Sequence, residues 1–311
     1  MFISLPLFLR TAIGIGGLVA NTLYWCTALF AVTFVKLVIP IPSLRRQLSQ
    51  TLARIAQNWI GVNNWLIANT QNVRWEITGM EGLNPRRWYL VLSNHISGLD
   101  IPVLQRVFHR RVPFLRFFLK QELIWVPILG QAWWALDYPF MQRHSPAELA
   151  KNPDLRLQDV EATRRACDKF RFVPTAILNF VEGTRFTQAK HDKQQSPYRN
   201  LLRPKAGGIA YAISAMGSQF TSLLDVTIHY PDGDVSLWDM TRGRVRRIVV
   251  HVQERAIPHE FIEGDYSEDE EYRTHFKVWL NQMWEEKDAL LDRLKLADSS
   301  LSATEQVSIP A

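Results

Sequence analysis

Cysteine is almost missing from this chain. Its 311 residues include only two cysteines, Cys26 and Cys167, and these form no Cys-x-x-Cys pair. Neither a disulfide framework nor a cysteine-based zinc site is therefore indicated. We expect no metal site, and a chain of this length can bury one large domain and an appendage without crosslinks.

Sequence signatures of nucleic-acid binding are also missing. The net charge of +6 is modest, and no helix-turn-helix, zinc-finger or RNP-like pattern accompanies it. We therefore expect no nucleic-acid partner, whereas anionic membrane surfaces and phosphorylated small molecules suit a moderately basic chain. The 11 tryptophans agree with a membrane partner, because indole rings favour the boundary between lipid headgroups and hydrocarbon.

Charge is absent from residues 11–35, and residues 2–9 are mostly apolar. At about 1.5 Å per residue, a helix of this length can cross a hydrocarbon core of about 30 Å. We therefore predict a membrane anchor over residues 1–42, in the form of a transmembrane helix. Its length argues against a signal peptide, and no small-residue cleavage site follows it.

The residues around this apolar stretch bear on its orientation and shape. More cations follow the stretch than precede it, namely Lys36, Arg45, Arg46 and Arg54 against Arg10. The positive-inside rule then places the rest of the chain in the cytoplasm. Glycines in the first half of the stretch and prolines at its end leave a second arrangement open, a bent helix pair lying in one leaflet.

The remaining chain divides into a connector, a folded domain and a tail. Residues 43–69 predict an amphipathic helical connector that can break near Gly61, and that lies either on the membrane or against the domain. Residues 70–296 alternate strand-like and helix-like patterns, which indicates an α/β domain. The Ser/Ala/Thr-rich residues 297–311 predict a disordered tail.

The octapeptide from Ser93 to Asp100 contains the main candidate for chemistry. It follows the apolar run 88–92 and precedes a helix-like pattern, so we expect His95 at the carboxyl end of a strand. Asp100 can fold back and accept a hydrogen bond from one ring nitrogen, which leaves the other nitrogen free as a base. The nucleophile would then be a hydroxyl of the substrate. The alternative is a helix-capping Asp100 and an ordinary loop histidine.

A second junction of strand and polar turn repeats this pattern. The apolar run 174–181 leads into Glu182, Gly183, Thr184 and Arg185. Arginine offers a planar fork of donors to a phosphate, glycine allows close approach of the backbone, and threonine adds a hydroxyl. Cations outnumber acids from 183 to 205, which indicates a phosphate-bearing substrate or, alternatively, a solvated basic loop.

Acidic residues are missing between Asp100 and Glu122, where five cations accumulate among phenylalanines. This segment is either a solvated basic helix face or a surface for anionic lipid headgroups. The apolar run 124–136 that follows it is either the lining of an acyl-chain groove or plain core. His229 and His251 lie mid-strand without ligand partners nearby, and we expect both to be structural.

Three motifs, in their order along the chain, resemble those of the PlsC-type glycerolipid acyltransferases, whose type enzyme is 1-acyl-sn-glycerol-3-phosphate acyltransferase. The three are His95 with Asp100, residues 140–143 ending in Arg143, and the turn from Glu182 to Arg185. The short sequence segments, or blocks, that contain Lys120 and Lys205 are similar to further sequence blocks of that family. The resemblance covers about residues 70–255.

Within that family the chain is most similar to the bacterial YihG group of acyltransferases. It departs from the family pattern at Gly98, where the family often carries a bulky aromatic residue. Residues 223–230 also match the fourth block of the family poorly. These departures concern the choice of acceptor and of acyl chain.

The resemblance implies a mixed α/β sheet of the seven-stranded type, flanked by helices, with an N-terminal membrane helix or helix pair. It implies an enzyme of the bacterial inner membrane whose catalytic domain faces the cytoplasm. Such an enzyme transfers a fatty acyl group from an acyl-CoA or acyl-carrier-protein thioester to a lysophospholipid hydroxyl. The expected acceptor is 1-acyl-sn-glycerol-3-phosphate and the product phosphatidic acid, with no cofactor beyond the thioester co-substrate.

The resemblance also assigns roles to residues. His95 is the expected general base, and Asp100 orients it. The resemblance assigns substrate binding to Arg185, Gly183, Thr184 and Arg143. It makes Glu182 an orienting group. It adds Lys120 and Lys205, from the intervening blocks, to the substrate-binding residues. Donors to the oxyanion are either the backbone at 182–184 or Lys120. Two rival functions are a thioesterase or phospholipase that activates water, and a non-catalytic lipid-binding scaffold.

Overall fold

The computed structural model describes residues 2–141, 161, 165, 167, 170, 173–264, 266 and 269–307. Arg143, one of the predicted substrate-binding residues, lies outside the described residues. The described part comprises an N-terminal helical hairpin and an α/β domain with a mixed sheet. This confirms the predicted fold class.

Two long helices form the N-terminal hairpin, α1 (Leu7–Val38) and α2 (Pro42–Thr70). Buried Asn21 of α1 joins them, because its side-chain amide donates to the Trp59 carbonyl at 3.0 Å and to the Asn63 side chain at 2.8 Å. Among the described residues, α1 is the one helix long and apolar enough to cross a membrane.

The predicted connector is a continuous helix, so the expected break near Gly61 is wrong. The buried side chains of α2 on both sides of that position include Ile60 and Leu66, and Leu52 and Ile60 belong to the hydrophobic core of the domain. This packing keeps the helix straight through the glycine. Of the two placements that the sequence left open, α2 therefore packs against the domain.

Both ends of α1 contact the α/β domain. Near its start the Thr11 hydroxyl donates to the Thr241 carbonyl at 2.9 Å. Near its end the Lys36 ammonium forms a 2.8 Å ion pair with Asp137. These two contacts lie about 37 Å apart along the helix, at 1.5 Å per residue. α1 therefore lies alongside the domain instead of projecting from it.

The domain alternates strands with helices and short turns. Its strands are β1 (Arg74–Thr78), β2 (Tyr89–Ser93), β3 (Leu115–Phe117), β4 (Leu119–Lys120), β5 (Phe140–Met141), β6 (Ala176–Phe180), β7 (Ser222–His229) and β8 (Arg247–Arg255). Its helices are α3 (Asp100–Phe108), α4 (Leu129–Ala135), α5 (Gln188–Gln194), α6 (Ala206–Met216), α7 (Leu237–Thr241), α8 (His259–Glu263) and α9 (Glu270–Val307). A single-turn helix, Gln121–Trp125, follows β4.

Six strands form the main sheet in the order β1-β8-β7-β2-β6-β3, and β4 pairs with β5 in a separate ladder. The described residues thus give six strands where the resemblance implied a seven-stranded type. β2 lies between β7 and β6 and runs parallel to both. β7 and β8 are antiparallel, because the Tyr230 to Arg246 connection returns the chain to the same end of the sheet. The carboxyl ends of β2, β6 and β7 therefore meet at one edge.

The sheet has a hydrophobic core on each face. Along β2, Tyr89 and Val91 point into one core, whereas Leu90 and Leu92 point into the other, as the two-residue period of a strand requires. The first core also contains residues of α1, α2, α3 and α4. The second contains residues of α6 and α9. The N-terminal hairpin and the C-terminal helix thus cover opposite faces.

The C-terminal helix α9 continues to Val307 and corrects the prediction of a disordered tail from residue 297. Its Asp298 carboxylate accepts a 2.6 Å hydrogen bond from His229 Nε2 and forms an ion pair with Arg247. Fully buried Lys287 forms a 2.5 Å ion pair with Asp225 on β7 and donates to the Val226 carbonyl at 2.6 Å. These charged contacts add to the apolar contacts that hold α9 on the sheet. They also give His229 the structural role that we expected.

Candidate active site

The turn after β2 is held in place by Asn94. This side chain is fully buried, and its amide group donates to the Ile228 carbonyl and accepts from the Ile228 N–H, both at 2.9 Å. Ile228 lies on β7, the parallel neighbour of β2. The two hydrogen bonds fix the point at which the chain leaves the sheet, just before His95.

His95 and Asp100 form the predicted pair. The distance from His95 Nδ1 to Asp100 Oδ2 is 2.7 Å, and the same oxygen accepts the N–H groups of Ile96 at 2.7 Å and Ser97 at 2.9 Å. Asp100 begins α3, but its carboxylate accepts from the turn before the helix, so the capping alternative is wrong. An ionised Asp100 assigns the proton to Nδ1 and leaves Nε2 as the acceptor.

Tyr230 completes the surroundings of Asp100. Its hydroxyl donates to Asp100 Oδ1 at 2.7 Å, and the Asp100 side chain is 0% exposed. Burial and the neighbouring carboxylate raise the pKa of Tyr230 well above its usual value, so the phenol stays a donor. The carboxylate therefore accepts four hydrogen bonds, from Nδ1, two backbone amides and the phenol.

The ring of His95 is oriented from one face by Phe180. The two rings are stacked, with 4.0 Å between centroids and 17° between planes. Phe180 is the last residue of β6, next to β2 in the sheet. The stack and the bond to Asp100 together fix both the plane of the imidazole and the direction of Nε2.

Glu182 joins the two turns by accepting hydrogen bonds from backbone N–H groups. Its Oε1 accepts the backbone N–H of His95 at 3.1 Å, and its Oε2 accepts the N–H of Leu202 at 3.0 Å. The side chain is buried, and this burial raises its pKa to about 7. The Phe186 N–H adds a bond to the His95 carbonyl at 2.7 Å. Glu182 thus connects the His95 turn to the segment that contains Leu202, and its role as an orienting group stays a prediction.

The polar residues of the second turn lie beside the first. A Cβ atom placed on Gly98 would be 3.9 Å from Arg185 Nη1, so this exposed guanidinium lies next to the His95 turn. Gly183 has φ +70°, a conformation that favours glycine, and Lys205 Nζ would lie 3.2 Å from a Cβ there. The Thr184 hydroxyl accepts from Lys190 at 2.8 Å. Arg185 therefore lies near the first turn, and Lys205 lies near Gly183 of the second turn.

Lys120 is placed apart from this group. It is the exposed last residue of β4, paired with Met141 of β5 in the small ladder. No contact in the described part of the chain joins it to the His95 turn. Within the same residues, no group of three or more His, Cys, Asp or Glu side chains is arranged to hold a metal ion.

An apolar cavity of about 690 Å³ extends from the His95 turn to the helical hairpin. Gly98 and Leu99 line it at the turn, and its other lining residues include members of α1, α2, α3, α4 and α7. Part of the apolar run 124–136 contributes to it, including Ile128, Ala132 and Trp133. A volume of this size and composition suits a hydrocarbon chain.

Sequence reasoning missed Tyr230, Phe180 and Asn94 as parts of the site. Each lies at or next to the carboxyl end of β7, β6 or β2. The order of strands, which determines that these ends meet, is a property of the sheet and not of any one segment. Asn94 lies within the octapeptide that contains His95, and Phe180 lies within the apolar run 174–181, so their positions were a signal for these two residues.

Comparison with known proteins agrees with this geometry. The family model named Acyltransferase matches residues 74–230, which is half of the chain and includes both turns. The chain belongs to the Acyltransferase family. The resemblance to PlsC-type enzymes is thereby confirmed, whereas the resemblance to the YihG group stays a prediction.

Several curated proteins are similar to this chain. The 1-acyl-sn-glycerol-3-phosphate acyltransferase gamma of Mus musculus is 28% identical over 57% of this chain and 44% of its own length. The 1-acyl-sn-glycerol-3-phosphate acyltransferase 3 of Arabidopsis thaliana is 29% identical over 66% of this chain and 53% of its own. The chain thus spans about half the length of these curated relatives.

A solved structure shares the fold. The 1-acyl-sn-glycerophosphate acyltransferase PlsC from Thermotoga maritima superposes with a TM-score of 0.51, covering 90% of this chain and 96% of that chain. The sequence identity is 15%, so this likeness concerns the fold alone.

We expect Glu182→Gln to alter the pH dependence of stability. Because burial raises the pKa of Glu182 from 4.5 to about 7, the folded chain binds this proton more tightly than the unfolded chain. The wild type should therefore lose stability relative to the variant as the pH rises from about 4.5 to about 7.

Melting temperatures between about pH 4 and pH 8 measure this difference, with the exposed Glu122→Gln as the matched control. A difference between wild type and Glu182→Gln that does not change with pH would contradict the assignment.

Proposed function

We propose that the protein is a membrane-bound acyltransferase that moves a fatty acyl group from a thioester to the hydroxyl of a lysophospholipid. The donor is acyl-CoA or acyl-carrier-protein, the expected acceptor is 1-acyl-sn-glycerol-3-phosphate, and the product is phosphatidic acid. The observation that carries this proposal is the hydrogen-bonded pair of His95 and Asp100, in a turn whose Gly98 lies near the Arg185 guanidinium and lines an apolar cavity. The names of the similar proteins support the choice of acceptor.

The reaction needs one base and no protein nucleophile. His95 Nε2 takes the proton of the acceptor hydroxyl as its oxygen forms a bond to the thioester carbonyl carbon. The tetrahedral intermediate then expels the thiolate, which recovers the proton from the imidazolium and leaves as a free thiol. Asp100 stabilises the imidazolium while it exists, because its carboxylate bonds to Nδ1 at 2.7 Å.

The acceptor phosphate is bound by the second turn. Arg185 supplies a charged, planar pair of donors, and the neighbouring Thr184 hydroxyl and the Lys205 ammonium near Gly183 assist it. Arg143 is proposed to assist from outside the described residues. Acyl chains would occupy the apolar cavity, which begins at Gly98.

The placement of α1, a single helix and not the bent pair left open for residues 1–42, supports a hairpin of α1 and α2 that lies along one leaflet. A transmembrane α1 would carry one end about 30 Å from a domain on the other side, yet Thr11 and Lys36 both contact that domain. The exposed apolar residues of α1, among them Phe8, Tyr24 and Phe34, would then face lipid. We propose attachment to the bacterial inner membrane, with the domain on the cytoplasmic side.

We expect His95→Ala to lower the rate of acyl transfer by about a hundredfold or more, because general-base catalysis contributes a factor of about 10²–10⁴ to the rate. Acyl-CoA binding should be largely retained. The measurement is thiol release from acyl-CoA with and without lysophosphatidic acid, with His251→Ala, a half-buried histidine bonded to Thr78, as the control.

Near wild-type turnover by His95→Ala would contradict the mechanism. Thiol release that does not need the acceptor, together with free fatty acid, would identify a hydrolase. Retained lipid binding without turnover by the wild type, for CoA and carrier-protein donors alike, would identify a scaffold.

We expect Arg185→Ala to raise the KM for lysophosphatidic acid by about 10- to 100-fold, because a charge-assisted hydrogen bond contributes about 1.5–3 kcal/mol. The effect on kcat should be smaller. Lys193→Ala, an exposed cation of the same basic segment, is the control. Saturation curves for the acceptor measure this difference, and equal KM values for the two variants would remove the role assigned to Arg185.

A further inference from the structure

Two short segments at the mouth of the cavity expose apolar side chains. The first, residues 123–130, is called the Trp125 loop; Trp125 is 81% exposed, and Pro127, Ile128 and Leu129 are exposed in succession. The second is α7, in which Leu237 and Trp238 are 52% and 54% exposed. Because a run of exposed apolar residues is unfavourable in water, these segments require a partner.

The Trp125 loop is also strained. Ile128 has φ 66° and ψ −54°, and the N–H of Leu129 donates to the carbonyl of Pro127 at 2.7 Å. This is a γ-turn of the rarer form, and positive φ is unfavourable for a β-branched residue. The fold thus holds these apolar side chains outward against a local preference, as strained turns at functional sites do.

Both segments are continuous with the exposed apolar surface of α1. α4, which follows the loop, and α7 each contact α1. The side chains that face away from the domain along α1 are apolar, including Leu23, Tyr24 and Phe34. Ile128, Leu129 and Trp238 line the cavity together with residues of α1.

The charge around α7 indicates the chemistry of the partner. The Arg242 guanidinium lies 5.0 Å from the centre of the Trp238 ring. An indole with a cation above it suits the boundary of a bilayer, where the ring meets hydrocarbon and the cation meets a phosphate. A lipid leaflet matches this combination of aromatic and basic groups.

We infer that the Trp125 loop and α7 insert into the interface of one leaflet of a phospholipid bilayer, on either side of the cavity mouth. This inference rests on the membrane placement proposed above, and it adds a second point of attachment within the catalytic domain. Lipid chains then enter the cavity from the hydrocarbon side without crossing water.

Site-specific fluorescence tests the inference. In a chain carrying Cys26→Ala and Cys167→Ala, the substitutions Trp125→Cys and Trp238→Cys accept an environment-sensitive nitrobenzoxadiazole label. Val278→Cys is the matched control, because Val278 is 60% exposed on α9, which covers the opposite face of the sheet. Phosphatidylcholine vesicles containing phosphatidylglycerol are the probe.

We expect labels at positions 125 and 238 to brighten and shift to the blue with vesicles, and to be quenched by nitroxide on the lipid chains. The label at 278 should not respond. Trp125→Ser should weaken co-sedimentation with these vesicles several-fold more than Val278→Ser, with unchanged melting temperature in detergent.

Labels at 125 and 238 that stay in water while the chain co-sediments would overturn this inference alone. Failure of the chain to co-sediment would overturn the membrane placement as well. Label shifts that follow protein concentration without lipid would identify a second copy as the occupant, and would also overturn the inference.

Discussion

The site depends on one carboxylate that has no contact with water. Removing the Asp100 charge from solvent is costly unless donors replace the lost hydration. Four do so: the His95 ring, the N–H groups of Ile96 and Ser97, and the Tyr230 hydroxyl. Because the carboxylate accepts bonds in all these directions, the turn has one low-energy arrangement. The direction of the free nitrogen of His95 follows from it.

These donors meet because of the order of strands in the sheet. β2, which leads to His95, lies between β7, which leads to Tyr230, and β6, which leads to the turn from Glu182 to Arg185. Parallel neighbours bring their carboxyl ends to one edge, so residues far apart in sequence become adjacent. A second buried carboxylate, that of Glu182, then ties the two turns together through the N–H groups of His95 and Leu202.

The sequence was informative where function depends on local pattern. Strand, turn and residue type within a few positions were enough to predict the pairing of His95 with Asp100. Long-range packing was not accessible in this way. Arg116 belonged to a segment interpreted as a basic surface, yet it is buried and bonded to the Leu136 carbonyl and the Thr175 hydroxyl, each at 3.1 Å. The amino-acid composition of a segment cannot identify the hydrogen-bond acceptors of Arg116, because these acceptors belong to other segments of the chain.

We infer that Asp100 holds the proton of neutral His95 on Nδ1 and leaves Nε2 as the base. Nitrogen-15 NMR of the histidine side chains in detergent micelles measures this directly, with the His95 signals assigned by their loss in His95→Gln. At a pH where the ring is neutral, we expect a protonated Nδ1 with a strong hydrogen bond and an unprotonated Nε2. A proton on Nε2 in that state would rule out this role of His95, because that nitrogen could not then accept a proton from the acceptor hydroxyl.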